Sequence, residues 1–288
     1  MIVHLVDGTY ELFRHFHGLR RFVKGSEQRL GAVVGVLGSV LEMVEQGGTH
    51  LGVATDHVIE SFRNDLWPSY KTGAGIPPEL LAQFHPLEDA LALMGVAVWP
   101  MIEFEADDAL ASAAQRADAD PAVEKVCIWS PDKDLAQCVR GERVVQVDRK
   151  GKAIRGADAV RAKYGVPPEL IADWLALVGD AADGYPGIAG IGAIGAAAML
   201  NRLGPIEGFA PNVLGGAERQ AQAMQFKRLA VLRTEVPTFG AVDELRWLGP
   251  TAGFAAWTEA AKAPRLLERC LAAHAALVAT KAGAVTPQ

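Results

Sequence analysis

The sequence is short of cysteine, of long apolar runs and of positive charge, and each shortage narrows what the chain can be. Its three cysteines, Cys127, Cys138 and Cys270, have neither a paired nor a metal-ligand spacing. A disulfide scaffold and a thiolate zinc site are therefore excluded, and the thiols read as reduced, in a cytoplasmic protein. No apolar stretch approaches the roughly 20 uncharged residues that a membrane span needs. The opening MIVHLVDGTY has no charged leader region and is broken by Asp7, so it reads as neither signal peptide nor anchor. Lys and Arg number 28 against 34 Asp and Glu, a net charge of −6. Surfaces that hold nucleic acid are usually basic, so this balance counts against such a partner. The objection weakens if the acids gather in one place where bound cations cancel them. Repeats and low-complexity linkers are also missing. What remains is a globular composition, 50% hydrophobic and 22% charged, with enough chain for a sizeable core.

The first half alternates short β-branched runs with amphipathic stretches. Residues 2–6, 51–55, 96–99, 126–129 and 144–147 read as strands; 32–45, 78–94 and 106–117 read as helices. Such alternation predicts an α/β fold, a mainly parallel sheet with helices on both faces. After about residue 150 the texture turns helical, with helices expected over 157–164, 168–178, 193–203 and 217–233. Between the second and third of these stands the glycine-rich run 185–192, which reads as a tight hairpin with exposed backbone amides. The expected divisions are an α/β domain over 1–155, a helical module over 156–250 and a helical tail over 251–288 that frays at its end.

The acids fall at the strand exits. Asp7 follows IVHLV and Asp56 follows LGVAT; Glu105, Asp107 and Asp108 follow VAVW; Asp132 and Asp134 follow VCIW. One such acid is ordinarily a helix cap or turn residue. Four strand exits carrying acids are another matter, because parallel strand ends converge on the edge where these folds place their sites. Seven carboxylates at one edge cannot all stay ionised without a counter-charge. Hard divalent cations supply it, and an all-oxygen donor set suits magnesium or manganese rather than zinc. Asp180 and Asp183 stand near the end of an expected helix, where the dipole disfavours acids, so something positive is expected to hold them.

These motifs, taken in order, resemble the 5′-nuclease family, which includes the amino-terminal domain of bacterial DNA polymerase I, phage 5′-exonucleases and flap endonucleases. The resemblance runs from Ile2 to Leu203 through LVDG, FRHFH with Arg14, TDHVIESFR with Asp56 and Arg63, Tyr70–Lys71, FEADD, SPDKDL and GDAADGYPGIAGIG. It implies a PIN-like sheet with a helix–three-turn–helix DNA-binding module. It further implies a two-metal phosphodiesterase cutting DNA at 5′ ends and 5′ flaps, without sequence preference, in replication or repair. Asp7, Asp56, Glu105, Asp107, Asp108, Asp132 and Asp134 are then expected around one magnesium or manganese ion, and Asp180 and Asp183 around a second. Asp7, Asp107, Asp132, Lys71 and Arg63 are the expected catalytic residues, with Lys71 on the scissile phosphate.

The resemblance also makes Arg14 and Arg63 phosphate contacts and lets Tyr70 stack on a base beside the cut. Arg20, Arg21 and Lys24 would line a loop near the DNA. Gly187, Gly190 and Gly192 would bring hairpin amides to the duplex backbone, with a potassium ion on the hairpin carbonyls. The chain departs from the family pattern at Gly184, where Asn is usual, and at Ala193–Ile194–Gly195, where Lys-Thr is usual. The segment after Lys71 also lacks a further basic residue. A stand-alone, monomeric nuclease is expected. The rival readings are a non-catalytic binder of branched DNA and a metal-dependent ribonuclease of the PIN type.

Overall fold

A computed structural model of the chain describes residues 1–20, 29–149, 151 and 153–283. The elements run β1 (Ile2–Asp7), α1 (Gly8–Arg20), α2 (Gly31–Glu45), β2 (His50–Asp56), α3 (Phe62–Leu66), α4 (Pro78–Leu81), α5 (Phe84–Leu93), β3 (Ala97–Met101), α6 (Ala106–Ala119), β4 (Lys125–Trp129), β5 (Val144–Asp148) and β6 (Ala153–Arg155). The helical part follows: α7 (Ala157–Tyr164), α8 (Ile171–Val178), α9 (Ala193–Leu203), α10 (Ala217–Ala230), α11 (Phe254–Ala260) and α12 (Pro264–Gly283). The six strands form one sheet in the order β3-β2-β1-β4-β5-β6. The first five are parallel, as the alternation predicts, and β6 pairs antiparallel at the edge. β6 is too short at three residues to leave a periodic signal.

Central β2 is buried along its whole length and β1 at Val3 and from Leu5 to Asp7, as strands covered on both faces are. One face of the sheet packs on α2 and α5, the other on the alanine-rich α6. The expected helix over 78–94 is broken at residues 82–83. Pro86 has no N–H and its ring would clash with the carbonyl of Ala82, so the helix restarts with Pro86 in the first turn of α5. Buried Gln83 uses the break: its Oε1 accepts from the amides of Ala32 and Val33 at the start of α2. The expected helix over 217–233 stops at Ala230. Its last carbonyls are taken by side chains of the sheet domain, Leu229 by Arg63 Nε at 2.8 Å and Ala230 by Gln137 Nε2 at 3.0 Å.

A separate apolar core unites α7 to α10 through Trp174, Leu175, Tyr185 and Phe226. The chain then returns to the sheet. Leu232, Val236, Phe239 and Leu245 join the α6 face, while Phe254, Leu266 and Cys270 close over α2 and α5. Residues 232–245, placed with the helical module in the sequence reading, therefore pack as part of the sheet domain. Among the described residues no helix is long and apolar enough to cross a membrane.

Candidate active site

The carboxyl ends of the parallel strands deliver most of the predicted acids to one cleft of about 390 Å³, lined by Asp7, Asp56, Glu105, Asp107, Asp132 and Asp183 among others. Asp7 ends β1, and its oxygens accept from the Tyr10 amide at 2.8 Å and from Ser130 Oγ at 2.9 Å. Asp56 ends β2. Its Oδ1 accepts from the Ala106 amide at 2.8 Å, in the first turn of α6, and its Oδ2 receives Lys71 Nζ at 3.3 Å. Glu105 precedes α6, with Oε1 taken by Ser61 Oγ at 2.6 Å and by Arg63 at 3.2 Å. Its Oε2 looks the other way, 3.8 Å from Lys71 Nζ.

A second cluster lies beside the first. Asp134, Asp180 and Asp183 each bring a carboxylate oxygen within 4.8 Å of the others. Asp180 and Asp183 sit on a tight loop closed by reciprocal hydrogen bonds between the backbones of Asp180 and Tyr185. The positive partner expected for this pair is Lys133, whose Nζ is 2.8 Å from Asp180 Oδ2. Asp134, grouped by the family resemblance with the first set, thus stands with the second. Its Oδ1 is buried without a hydrogen-bond partner among the described residues.

The electrostatics follow from this crowding. Burial pushes Asp7 up to about 7, with Asp56 and Asp132 adding to the rise and the Tyr10 amide opposing it. Burial, then Asp180 and Glu105, push Asp183 up to about 7. Asp107 and Asp134 are raised well above the carboxylate range, first by burial and then by neighbouring acids, Asp132 foremost. Lys71 is held well above its ordinary value: burial opposes its charge, but Asp56, Glu105, Asp107 and Asp183 together outweigh it. Four protonation-prone acids and an unpartnered carboxylate oxygen fit a cation site with an all-oxygen donor set.

Four assignments from the sequence are corrected. Arg63 is 1% exposed, not on a DNA-facing surface. It forms a bidentate pair with Asp108, both contacts 2.7 Å, and Asp108 is fully buried. Asp108 also accepts from the amides of Glu105 and Arg233, so none of its oxygens is left to hold a metal. Tyr70 is buried and stacked on Tyr185 at 6.5 Å, which removes it from the bases. Gly187 is buried as well. Its backbone meets that of Gly179 so closely that a Cβ on either would stand 2.4 Å from the other segment, and both have φ near the left-handed region, +69° and +87°. That contact needs glycine for packing rather than for DNA.

The remaining predicted positions divide. Lys71 lines the cleft. Arg14 is outside the lining and is paired with Glu11, with Ser39 at 3.1 Å. Gly190 and Gly192 are exposed on the hairpin. Arg21 and Lys24 lie outside the described residues, as does the side chain of Arg20. Ser130, Ser61 and Lys133, absent from the sequence expectations, are each bonded to a predicted acid. Ser130 and Lys133 sit inside the SPDKD motif, and that adjacency was the available signal. Also absent from those expectations is Glu88, whose carboxylate takes Thr55 Oγ1 at 2.8 Å and His57 Nδ1 at 2.7 Å, clamping both neighbours of Asp56.

Comparison with known proteins agrees with the fold. The profile of the 5′-3′ exonuclease N-terminal resolvase-like domain matches residues 2–165, and that of the 5′-3′ exonuclease C-terminal SAM fold matches residues 166–252. The chain belongs to the 5′-3′ exonuclease family. DNA polymerase I of Pseudomonas aeruginosa is 32% identical over 259 residues, covering 84% of this chain and 28% of the relative. DNA polymerase I of Rhizobium leguminosarum is 34% identical over 262 residues, covering 81% and 24%. The chain thus spans about a quarter of the length of these curated relatives. Among solved structures, phage T5 5′-exonuclease with divalent metal ions (zinc) bound has a TM-score of 0.63 at 15% identity, covering 95% of this chain and 100% of that one. The catalytic core of Rad2 in complex with DNA substrate has a TM-score of 0.56 at 12% identity, covering 94% and 91%. Both share the fold.

Proposed function

We propose that the chain is a metal-dependent phosphodiesterase that cuts DNA from 5′ ends and at 5′ flaps, with magnesium or manganese on its carboxylates. The observation that carries the reading is a cleft where Asp7, Asp107, Asp132 and Asp183 converge under a single lysine, Lys71. Asp7, Asp56, Glu105, Asp107 and Asp132 would hold one cation region, and Asp134, Asp180 and Asp183 the other. Bound cations supply a nucleophilic water at neutral pH and offset charge on the attacking and leaving oxygens. Asp56 and Glu105 aim Lys71 Nζ into the cleft, where its ammonium would meet the charge that develops on a scissile phosphate. Ser130 and the Tyr10 amide fix Asp7 so that its carboxylate need not reorganise on binding. The zinc bound by the T5 protein and the DNA bound by the Rad2 core support the divalent-cation and DNA parts of this reading.

The test is cleavage of 5′-labelled flap, nicked and blunt duplexes in magnesium, with matched RNA strands beside them. Cleavage of the DNA flap that disappears in Asp107→Ala, with the fold kept, is the expected result. Cleavage confined to RNA would favour the ribonuclease reading. Binding without any cleavage would leave a non-catalytic binder.

A further inference from the structure

The exposed face of the hairpin has no charge of its own. Gly190, Gly192, Ala193, Ile194 and Gly195 are all exposed, and Ile194 reaches 89% exposure. Not one of these side chains can donate to a phosphate. The missing cation arrives from another helix. Arg219, in the first turn of α10, donates through its guanidinium to the carbonyl of Ala189 on the hairpin. Its stem and guanidinium also lie along Gly215, whose added Cβ would stand 3.7 Å from Arg219 Cδ and 3.8 Å from its NH1. The head is thus fixed at the turn, and a carbonyl that the sequence reading offered to potassium is taken. Lys227, on the same helix, is neutralised by Asp173 at 2.7 Å and Glu207 at 2.8 Å. Among the described residues no carboxylate pairs with Arg219.

We propose that Arg219 is the phosphate-contacting cation of the hairpin, delivered by α10 of the same chain to a turn that lacks basic residues. The inference rests on the reading of this chain as a DNA nuclease. A guanidinium has five N–H donors in a planar fork; one on the Ala189 carbonyl leaves others free for a phosphate oxygen. The experiment is a salt titration of binding to a 5′-flap duplex, with calcium in place of magnesium, for the wild type, Arg219→Gln and Arg219→Lys. Each lost phosphate contact reduces the slope of log K against log salt by about 0.9, so the gap between wild type and Arg219→Gln should narrow roughly eightfold per tenfold rise in salt. Arg219→Lys keeps the charge and should keep most of the slope. A wild-type slope in Arg219→Gln overturns the proposal. Should Arg219→Gln fail to fold, the wild type still decides: duplex should shield Arg219 from phenylglyoxal, read by peptide mass, and unchanged modification overturns it. A wild type that binds no duplex would instead overturn the nuclease reading.

Discussion

Two cation–carboxylate pairs stand back to back at the start of α6, and they do opposite things. Arg63 with Asp108 is sealed, with all four carboxylate lone-pair directions and most guanidinium donors used inside the protein. Lys71 with Asp56 is open, at 3.3 Å and with Lys71 still 30% exposed along its side chain. Glu105 touches both, one oxygen toward Arg63 and the other toward Lys71. Two cation–carboxylate pairs from neighbouring motif positions therefore separate into a structural bolt and an accessible charge. Geometry separates them, since burial with complete hydrogen bonding fixes a charge while partial burial leaves it available.

The largest effect should come from the bolt. Arg63→Ala leaves the Asp108 charge buried and unpaired and frees the carbonyls of Leu229 and Val231, at a cost of about 3–5 kcal/mol. Thermal melting should show the loss, and Asp108→Ala should show a similar one. Replacing the two together with apolar residues should recover much of it. Unchanged melting with weakened DNA binding in Arg63→Ala would break the comparison and return Arg63 to the surface.

Next is the open pair. Lys71→Ala should leave the melting temperature nearly unchanged and lower the single-turnover cleavage rate roughly 10²–10³-fold, the scale of losing one preorganised electrostatic group. Weaker affinity at a normal saturated rate would make Lys71 an anchor instead.

The contrast between these pairs was only half legible in the sequence. The five parallel strands were readable from β-branched runs, and the acids from their place at the strand exits. Burial of Arg63 was not, because Asp108, Leu229 and Val231 come from positions 45, 166 and 168 residues away. Tyr70 misled for the same reason: its stacking partner Tyr185 belongs to the helical module. Motif order carries which residues gather at the strand ends. It carries nothing about which of them the second module covers.

A third effect concerns the acids between the pairs. Asp7 and Asp183 have folded-state values near 7, above the ordinary carboxylate value of 3.8. The folded protein then holds protons that the unfolded chain has released, so metal-free stability should fall as pH rises from about 4 through 7. Cations displace those protons, and their binding strengthens with pH. A divalent ion at 100 times its Kd adds about 2.7 kcal/mol, or roughly 5 °C in melting temperature. That gain should be larger at pH 8 than at pH 5.5. Equal gains at both would mean that the titrating acids are not the ones that hold the ion.

The smallest effect tests the boundary at Glu105. The Tyr70 hydroxyl donates to Glu105 Oε2 at 3.5 Å, the long limit of a hydrogen bond. Burial and then the Glu105 charge push its ionisation far up, so the hydroxyl is a donor at every working pH. Tyr70→Phe keeps the ring on Tyr185 and removes only that donor, at a cost of no more than about 1 kcal/mol. Glu105 would still be held by Ser61 at 2.6 Å and by Arg63 at 3.2 Å, so the carboxylate should not turn. Cleavage under single turnover should stay within about fivefold of wild type, since 1 kcal/mol is a factor of about five in rate. A hundredfold loss with an unchanged melting temperature would show that the hydroxyl, rather than the bolt behind it, orients Glu105. The division between sealed and open pairs would then run through Tyr70 instead of through Glu105.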